Sequence, residues 1–383
     1  MSQQFDVIIC GAGPAGATCA LALGESNLKV LLIDKSTFPR DKICGDAIAP
    51  YVPKVLNTIN PKYKEQFLAF SEKAYADGCR IVAPNGKMVD LTIPEDGFLM
   101  TRMVFDNFLM DLVKKLPNIH LLENTKAIDA GMDADKVWIK TQDNNIFESQ
   151  LMIGCDGAQG IVSKKLTDNK VDLEHYCGAV RAYYKNVSDI PFKKLEFHFR
   201  KELLPGYFWI FPMKDNLVNV GLGMHSHAIA DGKVNLRNTM QQIIETDPIL
   251  KERFKNAEQL TDIKGFGLPL FSRKINISGN RFMLCGDAAS LIDPSSGEGI
   301  GQATVSGRYA GWQAIKCFKN NNFSAQFMDS YNQDIYKKLW RRSYTSNLFR
   351  KYVCANETLF NLFVRLSGYR FFYNLLMRIS HGL

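Results

Sequence analysis

An apolar run at residues 5–10 passes straight into Gly11-Ala12-Gly13-Pro14-Ala15-Gly16, and this junction limits the fold more than any other part of the chain. The run is short enough for a buried strand of a parallel sheet. An Ala- and Leu-rich stretch to Leu23 reads as a helix, and a second apolar run at residues 30–33 ends in Asp34. Strand, glycine turn, helix, strand and acid in this order make a βαβ unit. Gly11 permits the tight bend, Gly13 lets the backbone approach a pyrophosphate, and Gly16 lets helix and strand pack closely. Free amides and the positive end of the helix then hold the phosphates. Asp34 is placed to accept hydrogen bonds from a ribose diol, which fits FAD or NAD and disfavours NADP.

Two downstream turns choose between these cofactors. The segment 281–285 reads as a strand ending at Gly286-Asp287, followed by Pro294 and by Gly297-Glu298-Gly299-Ile300-Gly301, which opens a helix. An acid at a strand end binds a ribityl hydroxyl, and the next helix N-terminus stabilises negative charge on a reduced isoalloxazine. Cys155-Asp156-Gly157-Ala158 is a second Asp-Gly turn after a strand. The chain has no second GxGxxG for a resident nicotinamide. NAD(P)H therefore binds transiently, or another donor reduces the flavin.

Segments 72–100 and 177–224 differ in pattern, alternating polar and apolar residues as an antiparallel sheet does. Between and after them, a helix is expected near 103–116 and strands at 150–154 and 281–285. The expected class is α/β with an α+β substrate domain. A Rossmann-like FAD-binding domain is assembled from residues 1–71, 101–176 and 265–322. An antiparallel-sheet substrate domain of residues 72–100 and 177–264 is interleaved with it, and residues 323–383 form a helical region. A chain of 383 residues has the length for two domains.

In order and spacing, the three motifs resemble those of FAD-dependent oxidoreductases of the para-hydroxybenzoate hydroxylase fold, over roughly residues 5–330. The resemblance implies FAD contacts at Gly11, Gly13, Pro14, Ala15, Gly16, Asp34, Lys35, Arg102 and Ala127. It extends them to Asp156, Gly157, Asp287, Pro294, Gly297, Gly299 and Ile300. Two further segments narrow the branch. Phe38-Pro39-Arg40-Asp41-Lys42-Ile43-Cys44-Gly45 resembles the PRxKxCG loop of geranylgeranyl reductases, which adds Cys44 and Gly45 to the flavin contacts. Pro205-Gly206-Tyr207-Phe208-Trp209-Ile210-Phe211-Pro212, then Asn219-Val220-Gly221-Leu222-Gly223, is similar to their PxxYxWxFP and NVGxG signature. The activity this implies is an FAD-dependent reductase saturating double bonds of an isoprenoid or similar long apolar substrate. The alternative on the same fold is a flavin monooxygenase or halogenase acting on an aromatic or polyketide. Tyr207 and Phe211 replace the first Trp and the Ile of the halogenase WxWxIP segment, which weakens that alternative.

The residue types suit a reductase. Tyr207 and Trp209 alternate along one strand, so both face the same way and can wall an apolar cavity or serve as core aromatics. Cys44 either gates the ring and moves protons or is a small residue in a tight loop. Arg40 and Lys42 are neighbours of the kind that lower a thiol pKa. The six His show no metal-ligand spacing and none is assigned a role.

Composition sets the remaining limits. The nine Cys form no CxxC pair, and Cys10, Cys155 and Cys285 sit in apolar runs, as reduced, buried residues of a cytosolic protein do. The first residues lack the basic region and cleavage site of a secretory signal. No apolar run approaches the roughly 18 residues of a membrane span. The net charge of +8 is local: residues 335–383 hold nine Lys or Arg, one acid (Glu357) and eleven aromatics, so the preceding body is neutral. That balance argues against nucleic acid as a partner. Leu359, Leu362, Phe363 and Leu366, and then Phe372, Leu375, Leu376 and Ile379, fall at the spacing of one helix face. Two expectations follow for this region: peripheral contact with the inner face of a membrane, or a helical cap on the substrate domain.

Overall fold

The fold is described over residues 3–369 of a computed structural model. Gln3–Cys10 pairs in parallel with Val30–Ile33 on one side and with Ile146–Gly154 on the other. Phe282–Leu284 and Ile119–Leu122 extend the parallel core at its two ends. Val7, Ile8, Ile9 and the facing Leu151, Met152 and Ile153 are all inaccessible to solvent, as in a sheet covered on both faces. The register places Cys10 level with Ile33 and Gly154, and Gly154 level with Leu284. The carboxyl ends of four parallel strands therefore fall on one line.

The helix after the first strand, Pro14–Leu23, is buried at every residue. It packs along Ile300–Lys319, and the two approach closely because side chains are missing. A Cβ at Gly307 would lie 2.0 Å from the Ala15 carbonyl oxygen, and one at Gly311 would lie 2.7 Å from the Ala22 Cβ. The helix expected at 103–116 is Arg102–Val113, capped by Thr101, whose hydroxyl accepts from the Val104 amide.

A second, nine-stranded sheet carries the expected antiparallel pattern, with one departure. Lys194–His198 runs parallel to Ala74–Val82. These strands come from separate inserted segments, and the long connection between them through the first sheet lets them enter in the same direction. Two short strands also join this sheet against expectation. Ala47–Ile48 pairs with Phe98 and Leu99. Lys264–Pro269 pairs with Tyr176–Lys185, which moves the division expected at residue 264 beyond Pro269. The sequence KGFGLP, with two glycines in six residues, carries too little alternation to betray a strand.

The region after 323 is helical as far as it is described. Ala325–Ile335 clamps the first sheet, with the Tyr331 hydroxyl donating to the Leu284 carbonyl at 2.7 Å. Glu357–Ser367 lies on the second sheet through Phe360 and Val364, which pack with Ala83 and Val89. This corrects the expected face. The sheet takes the Phe360–Val364 stripe and leaves Leu359 and Leu362 exposed at 45% and 47%. The second expected face, Phe372 to Ile379, lies outside the described residues. Among the described residues, no helix is long and apolar enough to cross a membrane.

Gly307→Val tests the close helix contact. Forcing a branched side chain against the Ala15 carbonyl should cost about 1–3 kcal/mol, read as a lowered midpoint in chemical denaturation. An unchanged midpoint would contradict this packing.

Candidate active site

Each of the four aligned strand ends runs into one of the sequence motifs. The Gly11 amide donates to the Ile33 carbonyl at 2.7 Å, and the Cys155 amide donates to Cys10 at 2.7 Å. The Cys285 amide donates to Gly154 at 2.9 Å, which ties the third turn to the second. Gly11 has φ +98°, and a Cβ there would lie 2.4 Å from the Cys155 carbonyl oxygen, so the turn requires glycine. Asp34 is held by two amides: Oδ2 accepts from Ala12 at 2.8 Å and Oδ1 from Ser36 at 2.9 Å.

These turns open into one cavity of about 1360 Å³. Gly11, Gly13, Pro14, Ala15, Asp34, Lys35, Cys44, Gly45, Arg102, Ala127, Asp156, Gly157, Asp287, Pro294, Gly297, Gly299 and Ile300 line it, as do Tyr207 and Trp209. Gly16 does not. It lies beneath, where a Cβ would meet the Gly11 carbonyl oxygen at 1.8 Å, so its part is the helix–strand contact.

Cationic groups face the glycine turn. The guanidinium groups of Arg40 and Arg102 are the nearest atoms to a Cβ placed on Gly13, at 3.6 and 3.8 Å. Both are oriented by the buried carboxylate of Asp106, Arg102 through two bonds of 2.7 and 2.6 Å and Arg40 at 2.8 Å. Although burial disfavours a charged Arg102, the Asp106 carboxylate more than offsets it and holds the guanidinium firmly protonated. Lys42 reaches Asp287 at 2.9 Å. Bare glycine backbone, a helix N-terminus and two fixed guanidinium groups fit a pyrophosphate in charge and in space.

The second sheet forms the opposite wall. Tyr207, Trp209 and Phe211 alternate along Tyr207–Pro212 and face the cavity together. Trp209 and Phe211 close on the Cys44 loop, with a Gly45 Cβ position 3.2 Å from Phe211 and 3.9 Å from the Trp209 Nε1. Tyr207 donates its hydroxyl to the Ser296 carbonyl, tying this wall to the Pro294–Gly297 turn. Burial raises the Cys44 thiol pKa, with the Asp46 charge adding to it and Arg102 and Lys42 opposing. Arg40 and Lys42, neighbours of the kind that lower a thiol pKa, do not prevail here: both cations are tied to carboxylates, and desolvation dominates at the sulfur.

Several residues to which the sequence assigned no role knit the two walls together. Asn219 accepts the Trp209 indole N–H at 2.8 Å and donates to both the Cys44 carbonyl and Asp46 Oδ2, each at 2.8 Å. Arg181, inaccessible in the same sheet, bonds Asp41 at 2.9 Å. Glu298 caps the Ile300–Lys319 helix by accepting from the Gly301 amide, and it accepts the Tyr51 hydroxyl at 2.9 Å. Burial raises the Glu298 pKa. A position within NVGxG marked Asn219, but nothing in the sequence told that Asp46 or Arg181 would be buried. Among the described residues, no group of His, Cys, Asp and Glu could hold a metal ion.

Comparison with known proteins agrees with this geometry. Residues 4–341 match the FAD binding domain family. A digeranylgeranylglycerophospholipid reductase of Methanosphaera stadtmanae is 28% identical, over 94% of this chain and 88% of its own. One from Thermoplasma volcanium is 27% identical, over 93% and 90%. Among solved structures, a geranylgeranyl bacteriochlorophyll reductase-like protein of Thermoplasma acidophilum superposes with a TM-score of 0.84 and 25% identity, covering 97% of this chain and 93% of that one. A flavin-dependent brominase shares the fold at a TM-score of 0.79 and 19% identity, covering 98% and 93%. The chain belongs to the FAD binding domain family and is an FAD-dependent oxidoreductase of the geranylgeranyl reductase-like kind.

Proposed function

We propose that the protein saturates carbon–carbon double bonds of a long apolar isoprenoid substrate. The observation that carries this reading is the aromatic wall of Tyr207, Trp209 and Phe211 set against the Cys44–Gly45 loop, beside the Asp287 and Gly299 turns. When bound and reduced, FAD supplies the hydride; NAD(P)H or another donor reduces it from outside the resident site. Gly13, Arg40 and Arg102 would hold the pyrophosphate, Asp34 and Lys35 the adenosine ribose, and Asp156 and Asp287 the ribityl end. Pro294, Gly297 and the Gly299–Ile300 helix start would line the place of the ring. Tyr207 and Trp209 exclude water and orient an isoprene unit, and Cys44 holds a proton at its sulfur. Burial keeps that thiol protonated across the neutral range, which suits a donor to carbon and not a nucleophile.

The described tail also fits a lipid substrate. Leu359 and Leu362 are exposed on a helix that already spends Phe360 and Val364 on the sheet, and the surrounding segment is basic. We assign this face to peripheral contact with an anionic bilayer on the cytoplasmic side.

Three outcomes test the reading. Anaerobically, protein carrying reduced FAD should be reoxidised by a geranylgeranyl lipid in detergent, with a saturated product; reoxidation by oxygen alone, through a transient hydroperoxide, would favour an oxygenase. Arg102→Ala should weaken FAD binding by roughly tenfold or more, because a charge-assisted bond worth about 1.5–3 kcal/mol is lost, as read by fluorescence titration of the apoprotein. Leu359→Glu with Leu362→Glu should reduce co-sedimentation with phosphatidylglycerol vesicles and leave detergent activity intact; unchanged sedimentation would remove the membrane contact.

A further inference from the structure

Asp46 lies two residues beyond Cys44, with no exposed surface, in the wall of the cavity. Its two carboxyl oxygens differ. Oδ2 accepts the Tyr183 hydroxyl and the Asn219 amide. Oδ1 is buried and has no hydrogen-bond partner among the described residues. An ionised carboxylate would leave a charged oxygen without a hydrogen bond and closed to solvent, which is costly; a proton on Oδ1 removes that charge. The backbone holds this arrangement in place. Asp46 has φ +63°, a conformation Asp tolerates, and its carbonyl accepts from the Met100 amide at 3.2 Å.

We propose that Asp46 is the proton reservoir of the cavity, reprotonating the Cys44 thiolate after the thiol has given its proton to the substrate carbon. The inference rests on the double-bond reductase reading. Saturating one double bond adds a hydride and a proton. The hydride, with its electron pair, comes from reduced flavin, which is left oxidised. The proton comes from Cys44, which is left as a thiolate. The Cys44 sulfur is not a hydrogen-bond partner of Oδ1, so the proton passes from Oδ1 to the thiolate through one intervening water, and solvent entering the cavity returns a proton to the carboxylate between turnovers.

The groups that face Asp46 set its balance. From its own loop come the Cys44 sulfur, which accepts the Asp46 backbone amide, and from the second sheet come Tyr183, Asn219 and Arg181. Arg102 faces it from the first helix of the second FAD-binding segment. Arg181 is shared with Asp41 and Arg102 with Asp106, so neither is a free counter-ion for Asp46. Burial pushes the carboxyl up to about 7, against the Tyr183 and Asn219 hydrogen bonds and the two guanidinium groups. An acid in the neutral range beside a thiol raised by burial transfers its proton downhill once that thiol is ionised. The sign for stability follows. The raised carboxyl favours the fold while it is protonated, and this contribution is lost as pH rises from the ordinary carboxylate range through about 7.

Asp46→Asn is the informative variant, because its amide mimics the protonated carboxyl, keeping an acceptor for Tyr183 and Asn219 while holding no transferable proton. In infrared spectra of the FAD-loaded protein, the wild type should show a protonated carboxyl C=O band that fades around pH 7 and is missing from the variant. A carboxyl already ionised throughout the neutral range overturns the proposal. In anaerobic reoxidation by a geranylgeranyl lipid, the variant should be slower by about 10²-fold and should lose the pH dependence centred near 7, with the amount of bound FAD unchanged. Equal pH profiles for the two proteins also overturn it. Failure of the wild type to be reoxidised at all sinks the reductase reading instead, and the infrared titration then still decides the protonation of Asp46.

Discussion

The arrangement depends on register. Hydrogen bonding between parallel strands brings Cys10, Ile33, Gly154 and Leu284 level, and Gly11, Asp34, Asp156 and Asp287 follow within three residues. A slip of one residue in any pairing would turn an apolar strand and misplace its motif together. Burial on both faces makes such a slip costly, since Val7, Ile8 and Ile9 have no solvent face to exchange. A core interaction thus positions Gly11, Asp34, Asp156 and Asp287 together, and Gly11 in turn permits the close approach of the Cys155 turn. The helix Ile300–Lys319 completes the edge because glycines let it lie directly on Pro14–Leu23.

The second sheet has a different task, closing a cavity that the first only opens. It contributes little charge to the cavity and much aromatic surface, and its attachment to the Cys44 loop is polar and buried. Asn219 makes three bonds there, to Trp209, to the Cys44 carbonyl and to Asp46. Buried networks of this kind are costly when partly satisfied and fix a single geometry when complete. Here one atom, Asp46 Oδ1, is left open. The same knot therefore fixes the loop against the aromatic wall and leaves a buried carboxyl oxygen without a partner beside Cys44.

Much of this was legible from residue spacing. The βαβ unit, the Asp156-Gly157 and Gly286-Asp287 turns and the alternation of Tyr207 with Trp209 each declare a local geometry, and the structure places them around one cavity. Contacts distant in sequence were not legible. Asp46 lies one residue past the motif that ends at Gly45, and its burial, which the local sequence does not declare, raises its pKa. Ala47–Ile48 and Lys264–Pro269 are too short or too glycine-rich to show a strand period, so their sheet was misassigned. In the tail, the apolar spacing admits two overlapping helix faces, and the surface of the second sheet chose Phe360 and Val364.

A structure of the protein determined with FAD bound tests the central claim most directly. The account predicts the pyrophosphate between Gly13 and the Arg40–Arg102 pair, with the ring between the Gly299–Ile300 helix start and the Cys44–Trp209 wall. A ring lying away from Cys44 and Trp209, with the cavity between the two sheets left empty, would contradict it.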